Sequence, residues 1–280
     1  MAIHEGIIEI SGKLGNEVYY TRNGKRYVRK LTGQKINQSK GTRKSSSDFG
    51  RANAATGLIR LAFKPLISQF SDNQFDGRLK STLIKIVNTG PKVLQGKREV
   101  TDGDVALLKK LAFNRHTPVN RLITIVPFIA IDPTGDLTIS LPGMPVKDLF
   151  YPPAKATAAV LQFCCCVFYF DKKNGRYKRP EDLHISLQAA SFPGGKFSLP
   201  IADSGDCVLV VAWGIHFTYD NDRRPICDRK YYAGSIIEAV NIVDGKIVSF
   251  QYPERIVTAK AATTENRVAW EMNEEGENGE

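Results

Sequence analysis

Apolar positions follow three regimes along the chain. Between residues 3 and 31 they come in short runs around Thr21-Arg22-Asn23-Gly24, with Val18, Tyr19 and Tyr20 leading in and Lys25, Arg26, Tyr27 and Val28 leading out. Asn-Gly between β-branched and aromatic residues is a strong hairpin signal, because both residues tolerate positive φ. Residues 32–47, TGQKINQSKGTRKSSS, have almost no apolar content and read as a polar, basic linker or mobile arm. From residue 48 the spacing turns helical. Ala55, Ile59, Ala62, Phe63, Leu66, Ile67 and Phe70 recur close to every 3.6 residues, with Ser47 or Asp48 placed to cap and Pro65 placed to kink or split the helix. Leu79, Leu83, Ile86 and Val87 predict a second helix ended by Gly90-Pro91. Val105, Leu108, Leu111 and Ala112 predict a third from Thr101 or Asp102, with Gly103 near its start weighing against its length.

Beyond Leu122 the pattern becomes one of strands and turns. Strands are expected at 122–131, 136–141, 158–170, 183–191, 206–219, 231–243 and 246–252, separated by Asp132-Pro133-Thr134-Gly135, Lys172-Lys173-Asn174-Gly175, Pro193-Gly194-Gly195 and Asp244-Gly245. Even spacing with turn chemistry predicts an antiparallel β-sandwich, Ig-like in general architecture. Without long alternating helices, a parallel doubly wound sheet is disfavoured. The fold class is therefore α+β. It comprises a basic β-hairpin unit (1–31), a polar basic linker (32–47), a helical segment (48–116), a β-sandwich (117–253) and an acidic tail (254–280) that reads as disordered. In 206–219 the odd positions Leu209, Val211, Trp213, Ile215 and Phe217 form a core face, whereas the even positions are smaller and turn polar at His216 and Thr218. Strand 158–170 is apolar on both faces, so something must cover its outer side. The amphipathic helices from 48 to 113 are the first candidates, a partner subunit the second.

Charge sharpens this picture. Lys and Arg number 39 against 29 Asp and Glu, a net +10, which favours polyanions or acidic protein surfaces as partners. The excess concentrates in Arg22, Lys25, Arg26, Arg29, Lys30, Lys35, Lys40, Arg43 and Lys44, a run that no acidic residue interrupts. These residues are the candidate contacts for a polyanion or a protein partner, with Tyr19, Tyr20 and Tyr27 available to stack on bases. The tail carries the opposite sign in Glu271, Glu274, Glu275, Glu277 and Glu280. No signal-peptide pattern opens the chain, and no apolar run approaches the roughly 20 residues of a membrane span. Five Cys, three of them consecutive at 164–166, make a poor disulfide framework because neighbours on a strand point to opposite faces. A reducing, cytoplasmic setting is the expectation.

The search for chemistry returns little. No G-x-S-x-G elbow, P-loop or G-x-G-x-x-G is present, and Asp48-Phe49-Gly50 spells a kinase triplet without the rest of that machinery. Cys164, Cys165 and Cys166 lie mid-strand, where a thiol stays protonated. Cys207 and Cys227 add no metal-ligand spacing, and Asp220, Asp222 and Asp228 are interrupted by Arg223 and Arg224. Of His4, His116, His184 and His216, the strand residues His184 and His216 have no obvious carboxylate partner in sequence. No catalytic, metal or cofactor site is assigned, and no small-molecule substrate.

Gly12-Lys13-Leu14-Gly15-Asn16-Glu17-Val18-Tyr19-Tyr20, followed by Asn23-Gly24-Lys25 and Tyr27-Val28-Arg29, resembles the opening of a Bacteroidetes family of unknown function. Its members begin with a G-K-x-G-N-x-V-x-Y segment and an N-G-K-x-Y-V-R segment. The likeness covers about the first quarter of the chain and implies no activity, ligand or site residue. The leading expectation is a non-enzymatic interaction or assembly protein, of the kind carried by phage-like or mobile elements, in which oppositely charged ends join neighbouring subunits. The alternative is a nucleic-acid-associated protein using residues 19–44.

Overall fold

A computed structural model describes residues 2–3, 10–22, 24–31, 38–131, 136–200, 206–219, 224–226, 228–244 and 246–252. The chain divides into Met1–Phe250 and Gln251–Glu280. The acidic tail expected at 254–280, and Lys35 with most of the expected linker, lie outside the described residues.

The N-terminal strands are β1 (Ala2–Ile3), β2 (Gly12–Leu14), β3 (Glu17–Arg22) and β4 (Lys25–Lys30). They form one antiparallel sheet in the order β1-β4-β3-β2. The expected hairpin is its centre, with Arg22 opposite Lys25 and Tyr20 opposite Tyr27. Gly24 has φ +73°, the conformation for which a turn selects glycine.

Helix α1 (Lys40–Ala62) begins in what reads in sequence as linker. Its N-cap is Ser39, whose hydroxyl accepts from the Thr42 N–H at 3.1 Å. Ser47 and Asp48 therefore sit inside the helix, not at its start. The apolar-poor first two turns hid the helix from the pattern, because nothing buries them. Pro65 does split the helical run: α1 ends before Phe63, and α2 (Lys64–Phe70) takes the proline in its first turn, where its missing N–H is harmless. Helix α3 (Phe75–Thr89) buries Leu79, Leu83, Ile86 and Val87 as the spacing predicts.

The expected third helix is absent as an α-helix. Val100–Asp102 and Val105–Leu108 form two short 3-10 turns, broken at Gly103. Gly103 packs so tightly on the end of α3 that a Cβ there would lie 2.0 Å from the Ile86 carbonyl oxygen. The apolar spacing survives, since Val105 and Leu108 are buried, but close approach to α3 sets the backbone.

The β-rich part comprises β5 (Phe128–Ile131), β6 (Asp136–Leu141), β7 (Met144–Pro145), β8 (Ala158–Tyr169), β9 (Asn174–Lys178), β10 (Leu183–Ser186), β11 (Ser191–Phe192), β12 (Gly195–Pro200), β13 (Cys207–Tyr219), β14 (Arg224–Pro225), β15 (Tyr232–Val243) and β16 (Lys246–Val248). A four-residue helix, α4 (Val146–Leu149), follows β7. The principal sheet runs β10-β8-β13-β15-β16, with β9 on β8 and β14 on β13, and a smaller sheet runs β12-β6-β5. All pairings are antiparallel, so the chain is α+β.

Two cores lie on opposite faces of β8 and β13. Cys164, Cys166, Phe168, Val208, Val210 and Ala212 pack with α1, α2 and α3. Leu161, Phe163, Cys165, Leu209, Val211, Trp213, Ile215 and Phe217 pack with Leu137, Ile139 and Leu141 of β6 and with Phe150. The helices are thus the cover that a strand apolar on both faces demands. Where α2 crosses β13, Gly214 leaves room for the Phe70 ring; a Cβ there would stand 2.4 Å from it.

Candidate polyanion interface

The register of the N-terminal sheet sorts residues that the sequence leaves mixed. Residues directly opposite one another on antiparallel strands share a face, and successive residues alternate. Lys13 lies opposite Val18, which lies opposite Arg29. Two residues along is the Tyr20–Tyr27 pair, and two further is Arg22–Lys25. One face therefore carries Lys13 and Arg29, then two tyrosines, then Arg22 and Lys25. The tyrosine rings stack, with centroids 5.7 Å apart and planes 23° from parallel.

The other face carries Arg26 opposite Thr21, Tyr19 opposite Val28, and Glu17 opposite Lys30. Here the Tyr19 hydroxyl donates to the Glu17 carboxylate at 2.6 Å, and that bond pushes the phenol above its ordinary range. Glu17 is the sole acid among the described residues of this sheet. Tyr19 therefore leaves the aromatic set to which sequence assigned it. Lys13, which sequence reasoning passed over, joins the cationic set; only the β2–β3 pairing places it there.

Of the remaining predicted contacts, Lys40, Arg43 and Lys44 stand exposed on the first turns of α1, a separate element. The Lys44 stem passes close to Gly96, where an added Cβ would lie 2.9 Å from the Lys44 Cγ. The same loop explains Asp48: its buried carboxylate accepts from the Gly96 N–H at 2.9 Å and the Arg98 N–H at 3.2 Å. Arg51, one turn on, donates to the Gly96 carbonyl at 2.8 Å and pairs with Glu99 at 2.6 Å. The kinase-like triplet is a staple between a helix and a loop.

Elsewhere, titratable side chains serve the core. Cys164, Cys165, Cys166 and Cys207 are free thiols and buried; Cys227 lies outside the described residues. Burial pushes the Cys165 thiol up, and the Cys166 thiol rises because its S–H hydrogen-bonds to the Cys164 sulfur and because it is buried. His216 sits beneath the helices, its Nδ1 3.3 Å from the Gln69 amide and its ring stacked on Tyr232 at 5.7 Å. Burial lowers it to about 4. Asp228 caps the turn Arg229–Tyr231, while Asp220 and Asp222 lie outside the described residues. No group of three His, Cys, Asp or Glu able to hold a metal occurs among the described residues. No described helix is long and apolar enough to cross a membrane.

The chain matches no protein-family model. It matches no curated protein and no solved structure.

Proposed function

We propose that the protein is a non-enzymatic interaction protein whose N-terminal sheet is the contact module, carried on an α+β body. The observation behind this reading is the exposure of that sheet. None of the described residues from 10 to 31 is buried, and only Ile10, Val18, Tyr19, Tyr20, Arg26, Tyr27, Val28 and Leu31 are even half-buried. A small sheet without a hydrophobic core of its own is marginal in water, and a binding partner is one way to complete it. Its charge selects the partner: one face presents Lys13, Arg22, Lys25 and Arg29, which suits an acidic protein surface or a nucleic acid. The body, in this reading, keeps the general sandwich architecture that the strand pattern suggests. The principal and smaller sheets face each other, and helices replace solvent on the far side.

The test compares the full chain with a Lys13→Gln, Arg22→Gln, Lys25→Gln, Arg29→Gln variant at about 50 mM salt, where screening acts only beyond roughly 14 Å. Wild type should self-associate in sedimentation or bind at least one of polyglutamate, heparin and an oligonucleotide, and the variant should lose that behaviour. A wild type that does none of these sinks the proposal.

A further inference from the structure

Away from the N-terminal sheet, and independent of its role, a cavity of about 440 Å³ opens between β15 and residues 118–126. We propose that this cavity binds a small apolar monocarboxylate, with the hydrocarbon body inside and the carboxylate on Lys110.

The topology makes the cavity. Backbone bonds tie residues 110–113 to the outer edge of β15: the Lys110 N–H donates to the Ile236 carbonyl at 2.8 Å, the Ile236 N–H to the Leu111 carbonyl at 3.1 Å, and the Phe113 N–H to the Gly234 carbonyl at 2.8 Å. β16 takes up the same edge only from Asn241. Between the two ties lies a β-bulge, where Glu238 opposes Val211 while Ile236 opposes Ala212. No described strand pairs with the edge there, and the Ala239 N–H donates instead to the Glu238 carboxylate at 3.0 Å. Bulges of this kind open a sheet edge beside binding sites. Ser235 lies opposite Trp213 and so shares its face. Together with the buried Trp213, Ser235 lines a space whose apolar walls include Val119, Ile123, Ile125 and Ile237.

Three polar features select the ligand. The Ser235 hydroxyl accepts from the Trp213 Nε1–H at 3.1 Å, and among the described residues its own proton has no acceptor. Lys110 also lines the cavity and is exposed, with φ +64°. That left-handed backbone is disfavoured for lysine, and strain of this sort gathers where a side chain must be placed. The Lys110 ammonium forms no ion pair among the described residues, whereas its neighbour Lys109 pairs with Glu238. Finally, no Asp or Glu lines the cavity. Apolar walls, a hydroxyl donor and an unpaired cation suit a hydrocarbon body that ends in one carboxylate. The volume falls within the range of small-molecule sites, about 300–1,000 Å³. An amine of the same shape would face Lys110 with like charge.

The experiment titrates phenylbutyrate into the full chain, read by saturation-transfer NMR. Wild type should bind with a Kd of about 1 mM or below, as expected for a ligand of this size. Phenylbutylamine keeps the body and reverses the charge, and butyrate keeps the charge without the ring; each should bind at least about tenfold more weakly. At saturating phenylbutyrate, hydrogen exchange should slow across residues 110–126 and 233–238 and stay unchanged across 12–30. Lys110→Gln should weaken phenylbutyrate about fivefold and narrow its lead over the amine, while Lys109→Gln, the same charge change one residue away, should bind as wild type does. Ile237→Trp should fill the cavity and abolish binding. Circular dichroism and a denaturant midpoint check each variant's fold; should the Trp variant fail to fold, the two lysine variants decide.

No binding of phenylbutyrate at about 5 mM, equal binding of the amine, equal losses from the two lysine variants, or slowed exchange away from the cavity would overturn the proposal. None of these results bears on the N-terminal sheet as a contact module.

Discussion

Strands β13 and β3 are both antiparallel and both rich in β-branched and aromatic residues, yet their surroundings are opposite. β13 has thirteen residues, of which all but Tyr219 are buried. β3 has six, and none is buried. What separates them is the number of layers. β13 has helices on one face and β6 with Phe150 on the other, so each side chain leaves water, a gain of about 25 cal/mol for each Å² of apolar surface. Among the described elements, β3 packs chiefly on the strands of its own sheet, and none of its residues is buried. A residue type that signals a core strand in one place therefore signals an available surface in another.

The largest effect should come from the two-layered region. Trp213 is 2% exposed, packs on Phe163 with centroids 6.0 Å apart, and donates its Nε1–H to the Ser235 hydroxyl at 3.1 Å. Trp213→Ala removes the ring from a core that cannot close over the gap. It should cost about 3–5 kcal/mol, read as a lowered midpoint in denaturant. An unchanged midpoint would mean that the odd face of β13 is not the packed face, and the contrast with β3 would dissolve.

The contrast also explains which parts of the fold were legible in the sequence. The strand at 158–170 and its need for a cover could be read because a run apolar on both faces but for Gln162 fits a doubly covered strand, and Phe168 and Cys166 do meet the helices. Helices α2 and α3 could be read from their buried faces. The start of α1 at Lys40 could not, since Lys40–Ser47 bury nothing and the cue lies in a Ser39 cap that resembles loop composition. Strands β9 and β12 escaped for a related reason: β9 is exposed throughout, and β12 starts at Gly195, the last residue of the expected Pro193-Gly194-Gly195 turn, and is defined by its pairing with β6. Of the candidate interface, the cations and tyrosines were plain in sequence as a list. Their division into two faces was not, because it depends on which residue opposes which, and Lys13 enters only through the β2–β3 register.

A smaller effect should follow from acid acting on the helix-covered face. His216 is buried among Gln69, Phe70 and Tyr232, with Asp182 and His184 near enough to act on its charge in opposite directions. Burial dominates and lowers it from 6.5 to about 4. Between those values the unfolded chain binds a proton that the folded chain refuses, so stability rises with pH across this window. The contribution is fully present above about 6.5 and is lost as pH falls toward about 4, by at most about 3 kcal/mol. His216→Asn should flatten this segment of the stability-versus-pH curve measured by denaturant titration. A wild-type curve without the slope, or a variant that keeps it, would show that the ring is solvated.

The smallest effect belongs to the uncovered sheet and is the sharpest check on the comparison. Val18 is half-buried, lies between Lys13 and Arg29 across the ladder, and has no layer above or below it that buries it fully. Val18→Ala removes two methyl groups that stay partly in contact with water, so the global unfolding midpoint should shift by no more than about 0.5 kcal/mol. The local consequence should be larger than the global one. Amides of β3 and β4 open by sub-global unfolding, with free energies well below that of the whole molecule, and those openings should become more frequent in the variant. Hydrogen exchange read by mass spectrometry should show faster labelling across residues 17–30 and unchanged labelling across 207–217. If instead both segments accelerate together, the N-terminal sheet unfolds with the body, and exposure alone no longer distinguishes β3 from β13.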